Sequence, residues 1–179
     1  MRLYLQDRYN GNEMYLLCIY IKKQSFALVY PMHSWIVAGQ GGCQKCGYIE
    51  KLSAIGIVLS EVGSKDAAHI IPPYKWIELM RAELQAGATY VIAEAREAGN
   101  VGIYRGSGEV REGLVQEILT QIPGEKILWE APQKEQQLYF IELLGPNVNL
   151  GNIAPSEIIA LETMRIGLRG DTFELFLDK

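Results

Sequence analysis

The stretch NVNLGNIAPSEIIALETMRIGLRGDT (147–172) reads as a short strand, a turn and a helix, followed by a loop that carries Arg169 and Asp171. Val148 and Leu150 alternate as strand residues do, and Gly151 and Asn152 are turn residues. Pro155 suits the first turn of a helix, where its missing N–H costs nothing. Three upstream segments end in the same way. VLSEV (58–62), VIAEA (91–95) and ILWEA (127–131) each run apolar and then present a glutamate: Glu61, Glu94 and Glu130. Intervals of 33 and 36 residues between them suit one strand–loop–helix unit apiece. The expectation is a parallel sheet whose strand ends share one acidic face.

Outward from these segments the chain alternates. Residues 50–55 close a helix that Gly56 stops, and 57–62 form a strand. A loop over 63–71 carries Lys65, Asp66 and His69. Pro72 and Pro73 precede a helix over 74–86, with Trp76, Ile77, Leu79, Met80 and Leu84 on one side and Gly87 as its stop. A strand over 89–93, a long loop over 96–108, a helix over 109–121, a strand over 126–129 and a helix over 132–144 come next. Long loops inside compact domains are often functional. Four strand–helix units in alternation predict a parallel α/β sheet with right-handed crossovers, which binds ligands beyond the carboxyl ends of its strands.

Residues 1–49 read differently, rich in Tyr, Gln, Asn and Ser, with candidate strands at 14–21 and 25–30. GQGG (39–42) is a flexible break before Cys43-Gln-Lys-Cys46. A CxxC can be half a zinc site or a redox pair. The only histidines are His33 and His69, far apart in sequence, so two unrelated thiols in a loop are expected. The first 49 residues stand as an unassigned segment ahead of an α/β unit over 50–179.

The bulk numbers bound the function. A chain of 179 residues, 49% hydrophobic, can bury a sizeable single core and is not disordered. A net charge of −4 argues against broad nucleic-acid binding but allows a small anionic substrate held by local arginines. Three cysteines make no disulfide framework and point to a reducing cytosol. The most apolar run, 14–21, falls short of the roughly 18 residues of a membrane helix and stops at Lys22 and Lys23. Asp7 and Glu13 sit where a signal peptide would be basic, so neither span nor leader is expected.

Five motifs, in order, carry a resemblance: VLSEVGSKD (58–66), VIAEAREAG (91–99), ILWEAPQKEQQ (127–137), VNLGNI (148–153) and LETMRIGLRGDTF (161–173). Over about residues 50–179 the chain resembles the phosphosulfolactate synthase family. The resemblance implies a (β/α)8 barrel and a Mg²⁺-dependent addition of sulfite to phosphoenolpyruvate, giving (2R)-phospho-3-sulfolactate. In methanogens that step opens coenzyme M biosynthesis; bacterial and plant relatives, some heat-stress-associated, also exist. The family shows two lysines after EVG, and here they are Ser64 and Lys65. Residues 1–49 show none of the family's first four strand motifs, and a complete barrel needs about 250 residues. The chain therefore reads as strands five to eight, a partial TIM barrel, with an atypical start. A fragment, a gene-boundary error or a frameshifted start would each produce it.

The implied reaction accounts for the residue types. Phosphoenolpyruvate and sulfite are both anions, and their union builds enolate-like charge. Mg²⁺ takes carboxylate and water oxygens, which Glu61, Glu94 and Glu130 could supply; the alternative is salt bridging to Arg96 or Arg169. Lys65 is the expected proton donor and Arg169 its companion in catalysis. Arg96 and Arg165 are candidates for bidentate oxyanion contacts, with Arg105 a further loop cation. Gly151 and Asn152, ahead of a helix N-terminus, and Asn149 are candidate phosphate or substrate contacts. Gln133 and Lys134 rank below the glutamates, and His69 is a loop histidine. A half barrel would leave two sheet edges open, so a homo-oligomer, recruitment of the N-terminal segment or aggregation is expected. The competing reading is a non-catalytic binding or stress-associated member of the family.

Overall fold

The computed structural model describes residues 4–9, 12–17, 27–30, 44–64, 68, 70–96 and 98–176, the first three stretches and Gln44 by backbone alone. Strands β1 (Tyr4–Tyr9) and β2 (Asn12–Leu17) pair antiparallel. The main sheet is parallel. It runs in the order β3 (Ala27–Tyr30), β4 (Ile57–Val62), β5 (Tyr90–Ala93), β6 (Ile127–Glu130), β7 (Leu150–Gly151). Helices α1 (Gln44–Ser53), α2 (Pro73–Gln85), α3 (Glu112–Leu119) and α4 (Lys134–Leu144) alternate with these strands, and α5 (Ile158–Arg165) comes after β7. Each neighbouring pair in the sheet is consecutive among the strands, as single βαβ steps require.

Register sorts the side chains into two faces. Ser60 pairs with Val91, Val62 with Ala93, Ala93 with Trp129 and Trp129 with Leu150. Because strand side chains alternate, this set shares one face. It packs under the helices with Trp76, Met80, Val115, Ile118, Phe140, Ile141 and Met164. Trp129 stacks on Phe140 at 4.8 Å between ring centroids. The opposite face carries Leu59, Ile92 and Leu128 as a separate buried cluster, with Ile57 and Tyr90 against it. Continuous apolar strands are what a sheet buried on both faces demands.

Local chemistry sets the helix ends. Pro73 begins α2 where no N–H is needed, and Gly87, at φ +106°, stops it. Gln133 and Gln136 form a reciprocal capping box at the start of α4.

Four expectations change. The sheet has five parallel strands, not four, because Ala27–Tyr30 pairs with Ile57–Ser60 along β4. Gln44, Lys45 and Cys46 of the CxxC lie in α1 and not in a loop, because Ile49 from the same helix packs on Val58; Cys43 is outside the described residues. The third helix begins at Glu112 and not at Glu109. Val110 bridges to Tyr104, and the Arg111 N–H bonds the Ile103 carbonyl, so those residues serve the loop before the helix starts. The strand expected at 14–21 is β2, Asn12–Leu17, and residues 18–26 are outside the described residues. No helix among the described residues is long and apolar enough to cross a membrane.

Trp129 is fully buried at the centre of the main core. Trp129→Ala is expected to cost about 3–5 kcal/mol, read as a lowered urea midpoint. A midpoint within error of the parent would mean that the strand–helix core is not what holds the fold.

Candidate active site at the carboxyl ends of the strands

Glu61, Glu94 and Glu130 all fall on the sheet face opposite the main helix-packed core. Glu61 stands level with Ile92, and Ile92 with Leu128. One residue pair further toward the carboxyl ends, Glu94 follows Ala93 as Glu130 follows Trp129, and Glu130 pairs with Gly151. Glu94 and Glu130 are thus neighbours in one row, and Glu61 lies one row below. Glu94 is 2% exposed and Glu130 8% exposed.

Main-chain donors orient this pair. The Arg96 N–H donates to Glu94 Oε1 at 2.8 Å, and the Ala95 N–H donates to Glu130 Oε2 at 2.8 Å. Charge-assisted bonds of this kind are short and hold carboxylates in one orientation. The turn that delivers both donors requires Arg96 at φ +57°, a left-handed conformation uncommon for a residue with a Cβ. Backbone strain of this sort clusters at functional sites.

The long loop after β5 is a built wall. The Ile103 N–H bonds the Glu94 carbonyl, and Gly102 sits so close that a Cβ there would lie 1.9 Å from the same oxygen. Tyr104 is buried and donates its Oη to the Glu130 carbonyl at 2.6 Å. Burial, and then the Glu130 charge, push its phenol well above the usual tyrosine value, so the donor stays protonated. The Arg111 guanidinium donates to the Gly102 carbonyl. From α4, buried Gln136 donates to the carbonyls of both Gly99 and Gly108 at 2.9 Å, and Gln133 donates to that of Ala98. Sequence reasoning missed Tyr104 and Gln136. The Q-x-x-Q spacing at 133–136 is the signal that could have pointed to Gln136; no local pattern marks Tyr104.

The remaining candidates scatter. Arg96 is exposed, one turn from Glu94. Gly151 closes β7, and Asn152 comes next at φ +58°. Asn149 donates its amide to the Glu125 and Ile127 carbonyls, bracing β7 on the start of β6. Arg165, expected at substrate, instead donates to the Pro146 and Val148 carbonyls ahead of β7, and burial lowers its pKa. Arg169 pairs with Asp171 at 3.5 Å, and Lys134 reaches the same carboxylate at 2.8 Å. The Lys134 hydrogen bond is the main cause that holds Asp171 below the usual carboxylate range. Arg105 is exposed beside Glu109. Lys65 and His69 lie outside the described residues.

Among the described residues, no three His, Cys, Asp or Glu side chains gather closely enough to hold one ion. Mg²⁺ does not need three. It is commonly bound through one or two carboxylates, with waters and substrate oxygens completing the octahedron. The adjacent buried pair Glu94 and Glu130 offers carboxylate oxygens of the kind that donor set uses. A recess of about 500 Å³ between α2 and α3 is lined by none of these residues.

The model of the (2R)-phospho-3-sulfolactate synthase (ComA) family matches residues 42–171. A phosphosulfolactate synthase of Methanothermobacter thermautotrophicus is 52% identical over 133 residues, covering 72% of this chain and 52% of that protein. One of Bacillus subtilis is 47% identical over 135 residues, covering 74% and 54%. One of Methanocaldococcus jannaschii is 45% identical over 120 residues, covering 65% and 48%. The chain spans about half the length of the curated relatives it matches.

The left-handed turn at Arg96 is separable from its guanidinium. Arg96→Gly is expected to keep stability within about 1 kcal/mol of the parent, while Arg96→Val loses about 1–3 kcal/mol, both read by chemical denaturation. Equal stability of the two variants would show that the turn is not required.

Proposed function

The chain belongs to the (2R)-phospho-3-sulfolactate synthase family, and we propose that, within a complete (β/α)8 barrel, its strand ends join sulfite to phosphoenolpyruvate. The observation that carries the reading is the buried, adjacent pair Glu94 and Glu130, each with a carboxylate oxygen held by a main-chain N–H. In the reaction the sulfur lone pair attacks the methylene carbon and a C–S bond forms. The π pair moves to the neighbouring carbon, where negative charge spreads into the carboxylate until a proton completes (2R)-phospho-3-sulfolactate. The phosphate ester stays intact.

Glu94 and Glu130 would hold Mg²⁺, with Glu61 on the same face as a partner for its waters. When bound, the ion supplies a hard Lewis acid for the developing charge. The protein's own groups do the rest. Arg96, beside Glu94, and Arg169 at the Lys134–Asp171 pair offset the repulsion between two anions. Main-chain N–H groups around Gly151 and Asn152 suit the phosphate. Lys65 donates the proton. The loop bonded by Tyr104 and Gln136 excludes water from one side of the rim. Cytoplasmic location and a homo-oligomer complete the proposal.

Phosphoenolpyruvate is expected to disappear only when both sulfite and Mg²⁺ are present, monitored by ³¹P NMR. Glu94→Gln is expected to lower the rate at least about 100-fold. Lys65→Ala is expected to abolish turnover and leave the circular dichroism unchanged. Consumption without sulfite would overturn the chemistry, and an active Lys65→Ala chain would remove that residue from it. A second reading, a family member that binds these anions without turnover, is favoured by the chain's spanning about half the length of its curated relatives. Calorimetric binding of phosphoenolpyruvate with no product would select it.

A further inference from the structure

Behind β4, on the helix side of the sheet, lies a charged pair that the proposed chemistry does not use. Lys45, in α1, is 6% exposed, and Glu83, in α2, is 2% exposed. Lys45 Nζ donates to Glu83 Oε1 at 2.8 Å and also to the main-chain carbonyl of Glu61. Ser60, itself buried, lies beside the Glu83 carboxyl. Burial pushes that carboxyl above its usual value, and Lys45 works against the shift. Removing two charges from water is costly, and well-packed apolar residues of similar volume often stabilise a fold as well or better. A buried pair is therefore weak grounds for stability alone.

The second bond of Lys45 gives it another role. In the ladder, the Val58 and Val62 carbonyls turn toward β5, where they accept from the Thr89 and Glu94 N–H groups. The Glu61 carbonyl, odd in that alternation, turns toward β3. The last described pairing of β3 sets Tyr30 opposite Ser60. Lys45 supplies the donor one residue beyond the last β3 pairing. We infer that Lys45 is a positioning residue: braced by Glu83, it holds the carboxyl end of β4, and so the Glu61 side chain on the opposite face, in place from behind. Its value to Mg²⁺ binding rests on the function proposed above; its hold on the strand end does not.

The test uses the full chain and the double variant Lys45→Met/Glu83→Leu, which swaps the pair for apolar groups. The readouts are thermal melting, amide hydrogen exchange and calorimetric titration with Mg²⁺ alone. Melting is expected to return close to that of the parent. The Glu94 N–H, which reports the β4 end through its bond to the Val62 carbonyl, is expected to exchange about tenfold faster through local opening. Mg²⁺ affinity is expected to fall about tenfold, the lower range for loss of an outer-shell support. Parent-like exchange at Glu94 in a chain that melts like the parent would overturn the inference. Should the double variant not fold, Glu83→Gln keeps an acceptor for Lys45 and is compared with Lys45→Met. Protection at Glu94 kept in Glu83→Gln and lost in Lys45→Met supports the role, and equal protection in both overturns it. A parent that binds no Mg²⁺ would sink the metal reading alone, and the exchange would still decide Lys45.

Discussion

Every feature of the site depends on the two-residue alternation of side chains along parallel strands locked in register. Once Ala93 sits beside Trp129 under the helices, the next residue on each strand must face the other way. That is where Glu94 and Glu130 are. A slip of one residue in β6 would drive the Glu130 carboxylate into the Trp129–Phe140 core and turn Trp129 away from it. The register is therefore protected by the cost of the alternative. The same constraint layers the acidic face, with Leu59, Ile92 and Leu128 as an apolar floor beneath the buried carboxylates.

Alternation alone sets two carboxyl groups side by side under cover without fixing their orientation. The turn at residues 94–96 orients them, because it offers successive N–H groups to the two carboxylates. The turn in turn needs the wall behind it. Ile103 and Gly102 close on the Glu94 carbonyl, Tyr104 on the Glu130 carbonyl, and Gln136 fastens both ends of the loop. A satisfied polar network of this kind rigidifies a site, whereas a half-satisfied one is costly. The rim is thus held from above by the loop and from behind β4 by the buried Lys45–Glu83 pair, on opposite faces of one sheet.

Much of this was legible in the chain, for identifiable reasons. VLSEV, VIAEA and ILWEA announce buried strands because both faces of a parallel strand must be apolar, and the glutamates stand out against that background. Proline at the start of α2 and glycine at its stop marked its ends, since backbone conformation there is a local property. The start of the third helix was not legible, because Val110 and Arg111 are claimed by Tyr104 and Ile103 across a loop. Residues 25–30 were legible as a strand, but not that this strand, β3, would extend the parallel sheet, which its pairing with β4 decides. Arg165 illustrates the limit best. Its residue type invited an oxyanion, but its neighbours are the carbonyls of Pro146 and Val148.

The order of elements, the apolar strands, the acidic strand ends and the family were decided by sequence alone, because each rests on short-range pattern. Which carboxylates become neighbours, which N–H reaches across to Glu130, and which lysine stands behind the strand were decided only by the tertiary structure. The Lys45–Glu83, Ala95–Glu130 and Gly99–Gln136 contacts join residues 38, 35 and 37 positions apart. Register and packing, not local preference, bring such groups together.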